Sequence, residues 1–126
     1  MLRLALFFAA LTGSAADLSG IWSGTMQVRN EKQDISFQFK QNGGTLTGKL
    51  YGDSADLPIS DGWVSGEAVK FFIKTEGYSG KTRFVYEGTL ENGELRLTRE
   101  REDSESKVSE EARKKTRQQI LLKKML

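Results

Sequence analysis

Between Asp17 and Arg101 apolar and polar residues alternate in short runs, and Gly, Asn and Asp interrupt the runs. A repeat of two is that of a β-strand, whose successive side chains point to opposite faces, so this pattern confines most of the chain to antiparallel sheet. Trp22, Gly24, Met26 and Val28 share one parity, followed by Ile35, Phe37 and Phe39, then Leu46, Gly48 and Leu50. Val69, Phe71, Ile73 and Thr75 form the next set, then Phe84, Tyr86, Gly88 and Leu90, and Leu95 and Leu97 lead into Arg99. Asn42-Gly43-Gly44, Ser65-Gly66-Glu67 and Glu91-Asn92-Gly93 supply the residues that tight hairpins need. The pattern is weak from Ile59 to Val64, and Pro58, which has no N–H to donate, is expected at a sheet edge. A meander of this kind keeps two unpaired edges unless it closes. The expected fold is therefore all-β, a small antiparallel up-and-down barrel of about seven to eight strands over residues 17–101. Gly24, Gly48 and Gly88 on the inward parity suit such a barrel, because glycine marks where a coiled strand bends or another backbone comes close.

Residues 1–16 read differently. Arg3 precedes an apolar run from Leu4 to Leu11, and Gly13-Ser14-Ala15-Ala16 forms a small-residue exit, the pattern of a cleaved secretory signal. The run is about eight residues, against roughly 20 needed to span a bilayer. Cleavage is expected after Ala16 or Ala15, which places the mature protein in the periplasm or outside the cell and limits membrane contact to transit. The chain has no cysteine, so an exported domain made from it relies on packing and hydrogen bonds instead of disulfides. Lipid attachment at a mature N-terminal cysteine is excluded for the same reason.

Histidine is absent as well. Nucleophile systems built on Ser-His-Asp or Cys-His and zinc sites built on thiolate or imidazole are thereby removed. Carboxylates remain as acid–base groups, and Asp53, Asp56 and Asp61 cluster near the longest loop. Such residues on a turn-rich loop form turns, and their spacing is not that of a calcium loop. No catalytic residue, metal or cofactor is assigned, and the chain is read as non-enzymatic.

After Arg101 the composition shifts to charged residues and good helix formers, so residues 102–126 are expected to form a charged helical extension. Ser109 is placed to cap it, with Glu110 and Glu111 near its positive end and Lys123 and Lys124 near its negative end. From Lys107 to Leu126 there are seven basic residues and two acidic ones, while the whole chain carries a net charge of +2. On a helical wheel Ile120, Leu121, Leu122, Met125 and Leu126 spread around the circumference, which does not describe a membrane-lying helix. Export and a nearly neutral barrel segment argue against nucleic acid as a partner.

Gly20-Ile21-Trp22 at the start of the first strand resembles the G-x-W signature of lipocalin- and avidin-type barrels. The resemblance implies that Trp22 closes one end of the barrel and that a basic residue of the last strand packs across its ring, a place for which Arg99 has the parity. Three blocks, Asp17–Gly24, Phe39–Gly48 and Ile59–Gly66, are together similar to a family of small exported bacterial proteins with lipocalin-like (calycin) barrels and no assigned activity. That family brings no catalytic residues, and the tail beyond Arg101 departs from its pattern. Ser14 to Trp22 is also similar to the start of periplasmic inhibitors of secreted metalloproteases, small G-x-W barrels that insert an N-terminal arm into the enzyme. Those inhibitors carry a disulfide that this chain lacks. Leu46-Thr47-Gly48 resembles an avidin block, but avidin-like sites use several tryptophans and this chain has two.

The inward set has enough bulk to fill a small barrel, so a packed core is the first expectation and an apolar ligand cavity the alternative. In the second case Phe37, Phe71, Phe84 and Tyr86 line its mouth. Outward parity places Tyr51, Phe72 and Val85 toward solvent. The functional expectation is an exported binding or interaction module, taking a small apolar ligand or docking on another exported protein, with periplasmic protease inhibition as the alternative.

Overall fold

A computed structural model describes residues 17–28, 30–52, 55–77, 80–102 and 117–125. The strands are β1 (Gly20–Val28), β2 (Glu31–Asn42), β3 (Thr45–Leu50), β4 (Leu57–Pro58), β5 (Ser60–Ser65), β6 (Ala68–Gly77), β7 (Gly80–Glu91), β8 (Glu94–Glu102) and β9 (Gln118–Lys124). Each long strand pairs antiparallel with its neighbours in the order β1, β2, β3, β5, β6, β7, β8, β9, and β9 returns to β1. The result is a closed eight-stranded barrel, with the two-residue β4 added on β3 and Pro58 at its exposed edge.

Turn chemistry follows the expected positions. Asn92 and Gly93 both have positive φ, 52° and 80°, as a two-residue hairpin of the type that matches strand twist requires. Where the pattern was weak, β5 pairs with β6 through a bulge between Ser60 and Trp63, with Asp61 at a φ of 49°. The indole of Trp63 is left 42 % exposed on the outside.

The inward glycines stand where backbones crowd. A Cβ on Gly88 would lie 1.7 Å from the Arg96 carbonyl oxygen of β8, and one on Gly24 would lie 1.8 Å from that of Leu121 on β9. Neither position has a positive φ, so what glycine supplies there is room. Gly48 meets β2 in the same way. These contacts let the strands coil tightly enough for eight of them to close around a core of side chains.

The helical extension expected over residues 102–126 is corrected over its last part, where Gln118–Lys124 is a strand. Residues 103–116 and the expected signal, residues 1–16, lie outside the described residues. The reason for the correction is positional. Ile120 and Leu122 are buried while Gln119, Leu121 and Lys123 are exposed, a period of two that a helix cannot use. Between β1 and β8 this segment finds backbone partners on both sides. That outweighs helix-propensity differences of a few tenths of a kcal/mol per residue.

One end of the barrel is sealed by the residues that precede β1. Leu18 is fully buried in the core beside Trp22. Its carbonyl accepts a hydrogen bond from the Trp22 indole N–H at 2.9 Å, and its amide donates to Gln41 Oε1 at 2.9 Å. The Gln41 amide donates in turn to Ser19 Oγ at 3.0 Å, so the polar groups of this plug are bonded to one another. The Ser19 amide, and after it the Ser19 hydroxyl, hold the Asp17 carboxyl below its usual range. Leu18→Ala is expected to cost about 2–5 kcal/mol of stability, read from the midpoint of a urea titration. A midpoint unchanged within error would mean that the plug is not packed as described.

Candidate ligand-binding site

The middle of the barrel is filled by rings. Phe71 and Tyr86 stack with centroids 4.9 Å apart, Phe37 stacks on Phe39 at 5.3 Å, and Phe37 meets Phe71 edge-on at 5.5 Å. Three of the four residues expected to line a mouth, Phe37, Phe71 and Tyr86, are thus buried against one another. Burial pushes the Tyr86 phenol above its ordinary pKa, with the Arg99 charge pulling the other way. Phe84, the fourth, is half-buried one step further along β7, toward the end opposite the plug.

That end is built by alternation. In the run Arg99-Glu100-Arg101-Glu102 of β8, Arg99 and Arg101 share the parity of buried Leu95 and Leu97, and Glu100 and Glu102 take the other. The glutamates are engaged outside, Glu100 with Arg117 at 3.3 Å and Glu102 with Arg83 at 3.2 Å. Arg99 lies with its guanidinium carbon 4.1 Å from the centre of the Phe84 ring. Its Nη1 donates to the sulfur of Met26 at 3.2 Å, and its Nε is buried without a hydrogen-bond partner. Arg101 stands opposite Phe84 in the β7–β8 register and adds a second positive charge to this end.

Arg99 therefore does not cross the ring of Trp22, as the G-x-W resemblance implied. The strand registers explain why. Arg99 pairs with Gln118, whereas the residue of the last strand that faces Trp22 is Lys124. Gln118 and Lys124 are six positions apart on β9, which at about 3.3 Å per residue puts roughly 20 Å of strand between the two registers. Gly20 and Trp22 sit at the plugged end, and Arg99 at the other.

The remaining candidates have structural roles. Asp56 pairs with Lys49 at 3.1 Å and accepts the Gly52 amide at 3.2 Å, and both contacts lower its pKa. Asp61 lies 3.7 Å from Arg83, and Asp53 is outside the described residues. Among the described residues no group of three acidic side chains is arranged to hold a metal ion. Outside, Phe72 is covered by the Arg83 guanidinium at 3.8 Å, so with Val85 it offers no bare apolar patch. A cavity of about 410 Å³ on the outer face of β1, β9 and β8 is lined by hydroxyls and amides such as Thr25, Gln27, Thr98 and Gln119. The cation there, Arg96, lies 3.9 Å from Glu91.

No family model, curated protein or solved structure matches this chain. Its site has to be read from its own residues. Leu18 and Gln41 were not visible as partners in the sequence, because a lone leucine between Asp17 and Ser19 has no periodicity to place it. The charge alternation from Arg99 to Glu102 was the available signal for the opposite end.

Proposed function

We propose that the protein is an exported, non-enzymatic binding module that takes a small, largely apolar ligand at the end of the barrel opposite the plug. The difference between the two ends carries this reading. One end is occupied by Leu18 and tied shut through Gln41, whereas Phe84 at the other remains half-buried above the ring cluster. A ligand would rest on Phe84 and above Phe71 and Tyr86, since those rings fill the space beneath. Ligand sites of this kind are concave and mostly apolar with few polar groups.

The absence of histidine and cysteine from the whole chain supports binding over catalysis. The residue pattern of 1–16 supports export. Protease inhibition through an inserted arm has less behind it, because Leu18 is held inside the barrel, bonded to Gln41 and Trp22, and Ser19 is bonded to Gln41.

The test is native mass spectrometry of the protein recovered from the exported fraction, before and after solvent extraction, followed by titration with 1-anilinonaphthalene-8-sulfonate. The expected results are an extractable added mass, one-site saturable binding, and a weakening of about tenfold in Phe84→Ala, equivalent to about 1.4 kcal/mol. A clean mass together with no saturable binding would overturn the reading.

A further inference from the structure

We propose that Arg99 is the anchor for a carboxylate, so that the ligand is an amphiphile with an anionic head and an apolar body. This rests on the preceding reading of where the ligand sits. The guanidinium is half-buried, yet its described partners are a thioether and an aromatic face, neither of which supplies a full negative charge. Its Nε is shielded from solvent and unbonded. Charged groups taken from water are ordinarily paired, because an orphaned donor keeps its desolvation cost.

No described carboxylate fills that role. Glu100 and Glu102 lie on the far side of the same strand and are bonded to Arg117 and Arg83. Glu31 has inward parity at this end, but it is exposed and stands on β2, three strands around the ring from β8.

The contacts also define how a ligand would approach. Nη1 is turned to Met26 and Nε is shut away from solvent, so a carboxylate meets Nη2 first and gains Nε, side-on through two parallel hydrogen bonds, as the guanidinium turns out of its packed position. Phe84 lies against the face of the same guanidinium, so a head held there brings the attached chain onto the ring. Met26, buried near the barrel interior, continues the apolar surface. A polar head and an apolar body are thus provided for two residues apart on one face of the β7–β8 ladder, where Arg99 pairs with Tyr86 and Phe84 with Arg101.

The experiment compares decanoate with decanol on the full exported protein by isothermal titration at pH 7. These probes share a chain and differ at the head. Decanoate is expected to bind at least tenfold more tightly than decanol. In Arg99→Gln the preference for decanoate over decanol is expected to vanish. Arg99→Lys is expected to recover only part of it, since an ammonium lacks the paired donors. Equal affinities of wild type for decanoate and decanol, or a preference that survives in Arg99→Gln, would overturn the carboxylate assignment and leave the apolar site standing. Binding of neither probe would overturn both. The wild-type comparison stands without any variant, so a folding defect in Arg99→Gln does not shield the proposal.

Discussion

A chain ended after Glu102 is expected to lose its cooperative unfolding transition. Without β9 the edges of β1 and β8 are left unpaired, and Leu95, Leu97 and Met26 lose the side chains that cover them. Burial of Ile120 and Leu122 alone is worth about 1.5–3 kcal/mol each. Added to the two lost ladders, this approaches the roughly 5–15 kcal/mol by which a domain of this size is stable. The truncated protein should show weakened near-ultraviolet dichroism and bind a hydrophobic dye, and two full-length variants make the reading specific. Leu122→Asp puts a charge at a fully buried site and should unfold the protein, whereas Leu121→Asp, at a position 37 % exposed, should change stability by less than about 0.5 kcal/mol. A terminal helix packed on the outside would not separate these neighbours so sharply. A truncated protein with an unchanged urea midpoint would sink the assignment of β9 to the barrel wall.

Gly88→Ala is expected to cost about 3 kcal/mol of stability. The added carbon would have to occupy space 1.7 Å from a backbone oxygen, and backbone held in a closed ladder cannot swing aside as a flexible side chain would. Gly43→Ala is the control. Nothing lies within 4 Å of a Cβ there, so its cost comes from a φ of 63° and should be about 1 kcal/mol. Paired urea titrations of the two variants separate crowding from conformational strain. Equal losses would show that β7 and β8 are not in the close contact described.

These two sites also mark what could be read from the residues in advance. Gly88 falls on the same parity as Phe84 and Tyr86, so its inward position and its reason for being glycine were both legible, as were the Asn92-Gly93 turn and the barrel class. β9 was not. Its alternation is Gln119, Ile120, Leu121, Leu122, and the exposed leucine hides the period, while Lys, Leu and Met are all good helix formers. What decides the conformation is the vacant slot between β1 and β8, a property of the closed sheet that no local window contains. The failure of those apolar residues to make one helical stripe was the trace it left.

The candidate site was legible to the same depth. Parity identified Phe37, Phe71, Phe84, Tyr86 and Arg99 as inward, because parity is local. Which of them meet depends on strand register, and register placed Arg99 over Phe84 instead of Trp22. That misplacement follows directly from the missing strand, since counting β8 as the last one puts the wrong basic residue beside the tryptophan. Lys124 holds that register position.

The plug has a directional consequence. Asp17 enters immediately before it, and at the other end of the described chain the Met125 amide donates to the Ile21 carbonyl at 2.7 Å, so both ends of the described chain emerge on the same side of the barrel. The barrel has a back, where Asp17 and Met125 stand, and a front, where Phe84 and Arg99 stand. A surface linkage joined at Asp17 or Met125 would hold the back toward its support and turn the front to open solution. Immobilising the barrel through a linkage at Asp17 or at Met125 should therefore leave the proposed site accessible.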